Sequence, residues 1–114
     1  YTGTHDNNPI AGWWREGLSE QRKPFVQSYL NLPDENPGDA VHWHALRAVM
    51  ASVAARVVTP LQDVIGLGSE GRINTPGTEA NNWTWRFTAD QISEEDEERL
   101  AEITHLYGRA SDYD

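Results

Sequence analysis

The sequence predicts an α/β chain, mostly helical, with two short strands and a long irregular loop. Three observations predict it. Apolar residues recur at steps of three and four from Trp43 to Val57, and again from Leu100 to Tyr107. β-branched residues gather in two places, Thr2 and Thr4 near the start and Val57-Val58-Thr59 in the middle. Four of the nine glycines, Gly66, Gly68, Gly71 and Gly77, fall between Leu61 and Arg86, where neither helical nor strand period is present.

Taken in order, Tyr1 to Gly12 is expected as the end of a strand followed by a loop. Thr2 and Thr4 alternate around Gly3, and Asn7-Asn8-Pro9 then breaks any continuation. Trp13 to Leu32 is expected to be helical in its second half, with Ser19 as N-cap and Phe25, Val26, Tyr29 and Leu30 at helical spacing. Pro33 to Gly38 is a turn-rich loop. Asp39 then caps a helix whose apolar face is Trp43, Leu46, Met50, Val53 and Val57, with alanines filling other positions. At Arg56-Val57-Val58-Thr59 the pattern changes to a short buried strand, which Pro60 stops. Leu61 to Arg86 follows as the irregular loop, with one turn of helix at Gln62 to Ile65. Trp83 to Phe87 alternates as a short extended segment. Ser93-Glu94-Glu95-Asp96 is a capping start to the last helix, whose acidic first turn suits the helix dipole and whose stop is Gly108.

Composition narrows the function. At about 150 residues per domain, 114 residues form one domain at most. Eighteen acids against nine bases leave a net charge of −9, which excludes a nucleic-acid binder: no basic excess exists to displace counterions from phosphates. The lack of cysteine excludes a disulfide scaffold and a thiolate zinc site. No apolar run approaches the ~20 residues of a membrane span, and no signal-peptide pattern opens the chain. A cytoplasmic protein without membrane contact is expected. The start at Tyr1, with no Met, predicts a piece cut from a longer chain.

Several residue groups invite chemistry. His5-Asp6-Asn7 sits where a strand is expected to end. Its carboxyl group either stabilises developing positive charge or caps a turn. His42-Trp43-His44 places two imidazoles two apart on a helix, pointing to nearly opposite sides, so no metal site is expected. Gly66-Leu67-Gly68-Ser69-Glu70-Gly71 has the spacing of a dinucleotide fingerprint, but Pro60 interrupts the short strand before it and no periodic helix follows, so no nucleotide site is expected. Trp13-Trp14 and Trp83-Thr84-Trp85 are either sugar-stacking platforms or core. Gln62-Asp63 and Glu70-Gly71-Arg72 are either internal hydrogen-bonding groups of the loop or substrate contacts.

Four stretches together are far more specific than any of these motifs. Tyr1-Thr2-Gly3-Thr4-His5-Asp6-Asn7, Gly12-Trp13-Trp14, the run from Pro60 to Thr78 and Asn82-Trp83-Thr84-Trp85-Arg86 closely resemble the C-terminal part of the amylomaltases. These are the 4-α-glucanotransferases, or disproportionating enzymes, of the α-amylase superfamily. The resemblance spans essentially the whole chain. It implies that residues 1–114 are a single C-terminal fragment of a (β/α)₈ TIM barrel, with Tyr1 to Asp6 ending the seventh strand and Val57 to Pro60 forming the eighth. It implies transfer of α-1,4-glucan segments between maltooligosaccharides or to glucose, with retention and with no cofactor. Asp6 matches the family carboxylate that stabilises the transition state, and His5 and Asn74 match residues that bind substrate. The nucleophile and acid/base would lie upstream, so the isolated fragment is expected to be inactive. Pro9 and Gly71 depart from the family pattern. The implied location is the cytoplasm, or the plastid for a plant source. The alternative is a non-catalytic carbohydrate-binding or self-associating module, since strands torn from a barrel leave open edges.

Overall fold

The computed structural model describes residues 1–111. Pro9, with φ −51° and ψ 151°, delivers the chain into a first helix, α1 (Ile10–Gly12), which continues as a π-helical turn over Trp13–Gly17. The widening is visible in one bond, Leu18 N–H to Trp13 O at 2.8 Å, five residues apart. This helix begins earlier than the sequence pattern suggests. It also buries Ala11 and Trp14 against the next elements. Ser19 does not cap a helix. Its carbonyl closes a turn, accepting from Arg22 N–H at 3.0 Å, and α2 (Lys23–Leu30) starts only after Arg22. Asn31, at φ +54°, ends α2, and Leu32 N–H donates to Gln27 O at 2.9 Å in the bond that closes a Schellman motif. On α2, Val26 and Leu30 face inward, whereas Phe25 and Tyr29 stack on each other at 6.1 Å on the exposed side.

The longest helix, α3 (Pro37–Met50), starts at Asn36 and Pro37 instead of at Asp39. Proline suits a first helical position because its missing N–H has no partner there in any case. Val41 joins Trp14 and Leu32 in one apolar cluster, and Leu46 and Met50 join Val64 in a second. α3 therefore carries both halves of the core and touches α1, α2, α4 (Leu61–Ile65) and α5 (Glu94–Leu106). It stops seven residues short of Val57, and Val53 is fully exposed. Arg109 secures the chain beyond the stop: its Nε donates to Met50 O at 2.8 Å and one terminal nitrogen to Ser52 O at 3.1 Å and Ala54 O at 2.9 Å. α5 begins as expected, with Ser93 Oγ accepting from Asp96 N–H at 3.0 Å, and Gly108 at φ +67° follows its end.

The two expected strands do not form: no strand occurs among the described residues. The segments 1–4 and 57–60 do run near one another, but a strand exists only as a ladder with a neighbour. No backbone bond joins these two. A cavity of about 170 Å³, lined by Gly3 and Thr4 on one side and Val58 and Thr59 on the other, lies between them. Their link is a side-chain contact, Thr2 Oγ1 to Thr59 Oγ1 at 3.0 Å. Trp83 to Phe87 likewise pairs with nothing as a strand.

Asp63 on α4 ties the segments together. It is 2% exposed, and its two oxygens accept from Thr2 Oγ1 at 2.6 Å and from Ile10 N–H at 2.8 Å. Gly66 ends α4 at φ +77°, and a Cβ there would lie 2.9 Å from two atoms of the His42 ring. The buried His42 imidazole is pushed below its ordinary pKa of 6.5, chiefly because burial penalises the cation, with the charges of Asp96 and Asp63 opposing.

Two outcomes are expected. Asp63→Ala removes the acceptor of two part-buried donors, leaving Ile10 N–H without it and Thr2 Oγ1 with Thr59 alone, and lowers unfolding free energy by about 1–3 kcal/mol. Denaturant titration checks this, as a shifted midpoint at unchanged slope. His42 resists protonation in the folded state, whereas the unfolded chain takes up the proton near pH 6.5. Its contribution is thus fully present above that pH and is lost as the pH falls toward the lower native value. Thermal unfolding between about pH 8 and about pH 5 should show this slope, and His42→Gln should flatten it.

Candidate functional site

Thr4-His5-Asp6-Asn7 folds as a tight turn. Asn7 N–H donates to Thr4 O at 3.1 Å, and Asn7 Oδ1 accepts from Thr4 N–H at 2.8 Å and Thr4 Oγ1 at 3.0 Å. Asn7 therefore closes the turn by the short polar side chain that favours such bends. The Asp6 carboxyl group takes no part in closing the turn.

The chain from Gly66 to Trp83 returns over this turn. Asn74 N–H donates to His5 O at 3.0 Å, and Asn74 Nδ2 donates to Asp6 Oδ1 at 2.7 Å. Arg72 spans the same junction, one terminal nitrogen donating to Asp6 O at 2.8 Å and Nε to Asn74 O at 3.0 Å. His5 Nε2 lies 3.4 Å from Asp6 Oδ2, with both side chains about half exposed. The Trp83 ring lies 4.9 Å from the His5 ring, tilted by 38°. Asp6, His5 and Asn74 thus form one cluster: a carboxyl group held by an amide, an imidazole beside it, and a guanidinium fixing the backbone underneath. Such a set can accept from and donate to the vicinal hydroxyls of a sugar.

The remaining candidates resolve individually. Asp63 and Gln62 are internal to the fold, Gln62 Nε2 donating to Gly71 O at 2.9 Å. Glu70 accepts from Gly68 N–H at 3.0 Å. Gly66 ends a helix instead of following a strand, so the glycine-rich run does not form a phosphate-binding turn. His42 is buried, whereas His44 Nδ1 lies 2.9 Å from Leu30 O, so the two imidazoles serve different contacts. Among the described residues no group of three or more His, Cys, Asp or Glu side chains is placed to hold a metal ion. Trp14 is core, and Trp85 stacks on Phe87 at 5.7 Å. Of the tryptophans weighed as platforms, Trp83 reaches His5. Arg72 and Trp83 stand out in the sequence only as open alternatives; a lone arginine in a stretch of Gly, Asn and Thr was the available signal for the first.

The family model described as 4-alpha-glucanotransferase matches residues 1–92. A 4-alpha-glucanotransferase of Synechocystis sp. is 45% identical over 109 residues, covering 96% of this chain and 21% of the relative. The chloroplastic/amyloplastic 4-alpha-glucanotransferase of Arabidopsis thaliana is 40% identical over 112 residues, covering 96% and 19%. Among solved structures, an amylomaltase from Streptococcus agalactiae in complex with acarbose superposes with a TM-score of 0.86 at 31% identity, covering 96% of this chain and 21% of that one. The chain spans about a fifth of the length of these relatives. With the match over residues 1–92 taking in the turn, α3 and the returning loop, the chain belongs to the 4-alpha-glucanotransferase family.

Proposed function

We propose that this chain supplies the C-terminal part of the catalytic (β/α)₈ barrel of a 4-α-glucanotransferase, with residues 1–114 as a single fragment of it. The observation that carries the reading is the Asn74–Asp6 hydrogen bond at 2.7 Å, which joins residues 68 positions apart next to His5. In this reading Asp6 faces the donor sugar as the stabilising carboxyl group, and His5 and Asn74 contact the same unit. Glucan transfer with retention passes through an oxocarbenium-like transition state and needs a nucleophile and an acid/base from elsewhere. Asn74 occupies Oδ1, and Oδ2, with His5 Nε2 3.4 Å away, is the oxygen that accepts from sugar hydroxyls. Those bonds strengthen as positive charge grows on the ring, so they lower the barrier more than they stabilise bound substrate.

Maltooligosaccharides and related α-1,4-glucans are the substrates this reading implies. The Streptococcus agalactiae amylomaltase was solved in complex with acarbose, and that ligand of the neighbour supports this class. The proposed location is the bacterial cytoplasm, or the plastid of a plant. The Arabidopsis thaliana and Solanum tuberosum relatives are named chloroplastic/amyloplastic, and among the described residues no helix is long and apolar enough to cross a membrane. The alternative of a non-catalytic carbohydrate-binding or self-associating module has no comparable support, because the relatives matched over nearly the whole chain are named as enzymes.

The full-length natural protein is expected to convert maltotriose into glucose and longer maltooligosaccharides. Asp6→Asn should reduce kcat by about 10²–10³, the usual cost of losing one preorganised electrostatic group. Asn74→Ala should reduce it less, because Asp6 stays present but loses its anchor. Glucose release followed over time checks all three; a wild-type rate in Asp6→Asn would refute the assignment.

A further inference from the structure

Trp83 occupies a backbone conformation that its own side chain disfavours. Its φ is +61°, in the left-handed region, where a bulky residue is a strained outlier. Burial does not offset that strain, since the residue is 60% exposed. The strain is imposed by its surroundings. Trp83 N–H donates to Ile73 O at 2.8 Å, one residue before Asn74. The intervening loop is closed on itself: Asn82 Oδ1 accepts from Thr75 N–H at 2.9 Å, and Asn82 Nδ2 donates to Thr78 O at 3.2 Å. Gly77 and Asn81 also take positive φ, at +82° and +61°. The loop is a clasp, and what it delivers is one indole against the His5 ring.

His5 needs that support. Besides the indole, its imidazole meets Asp6 Oδ2 at 3.4 Å, and the side chain is 51% exposed. Left with that contact alone, the imidazole would sample several rotamers, and only the fraction of bound complexes with the ring correctly placed could reach the transition state. The indole fixes the ring in advance.

We infer that Trp83 is a positioning residue for the transfer reaction, acting through His5 by holding its imidazole toward the donor sugar. The inference rests on the transferase reading above. Strain kept at an exposed residue next to the candidate site is the pattern expected where conformation serves function.

The test uses Trp83→Gly in the full-length natural protein, because glycine removes the indole and the strain together. The melting temperature should stay the same or rise, while kcat on maltotriose falls about tenfold with KM little changed. Trp83→Phe, which keeps an aromatic ring, should retain most activity. In a His5→Ala background, Trp83→Gly should cost less than about twofold, because the two changes remove one shared contribution. Losses that simply multiply, or an unchanged kcat in Trp83→Gly, would overturn the inference while leaving the transferase reading intact. So would a fall in melting temperature in both Trp83→Gly and Trp83→Asn, since asparagine also tolerates the left-handed region and a shared fall would mark the indole as scaffold. A wild-type protein inactive on maltotriose would sink the transferase reading, and this inference with it.

Discussion

The Asp63 carboxyl group is the constraint from which the placement of the site follows. It is removed from water at the start of α4, and a group of this kind is tolerated there only with donors supplied by the protein. Thr2 and Ile10 supply them. Those two residues bracket the turn that carries His5 and Asp6, so one side chain fixes both ends of the segment. The same short helix ends three residues later at Gly66, pressed on His42 of α3, where the returning loop begins. Both halves of the site are therefore measured from α4. A shift of Asp63 would move the turn relative to the loop, and the Asp6–Asn74 bond lies at the point where the two meet.

The halves are joined by a division of labour between two asparagines. Asn7 spends its side chain on local turn closure, and Asn74 spends its own on the Asp6 carboxyl group. Arg72 completes the junction without touching that group: it donates to two backbone oxygens, Asp6 O and Asn74 O, which a rigid fork of donors can satisfy together. The negative end of Asp6 is thus positioned by an uncharged amide, and the nearby cation is directed into the backbone. This leaves one carboxyl oxygen available to a ligand while the main chain beneath it is held.

Much of the helical architecture was legible because its signals are local. Ser93 with its acidic followers marks α5 correctly, and Leu46 and Met50 do face the core. The errors arise where a local pattern meets a tertiary decision. Val53 continues the apolar spacing of α3, yet the helix has already ended at Met50, and nothing covers it among the described residues. Thr2, Thr4 and Val57 to Thr59 have strand composition, but composition cannot supply a ladder partner. The site was legible mainly through family resemblance, because its bonds connect residues 68 and 66 positions apart and leave no periodic trace. Residue types alone left Asp6 as either turn cap or functional carboxyl group; Asn7 Oδ1 takes the capping task, which removes the first of these.

The segment from Gly66 to Trp83 has scarcely any regular structure, yet it is not a loose loop. Its polar groups answer one another: Gln62 to Gly71 O, Glu70 to Gly68 N–H, Arg72 to Asn74 O, and Asn82 to both Thr75 and Thr78. A long connection held this way exchanges the repetitive bonds of a helix or sheet for individually placed ones, each of which sets a direction. Apart from Gly66, which ends α4, the positive-φ residues of the segment are Gly77, Asn81 and Trp83 in its last seven positions, and Trp83 meets the His5 ring. A loop that served as a moving lid would be expected to relax such conformations, since little would hold them. Here satisfied hydrogen bonds and backbone strain coincide, which is the condition for a rigid template: the bonds supply the energy that holds the strained residue in place.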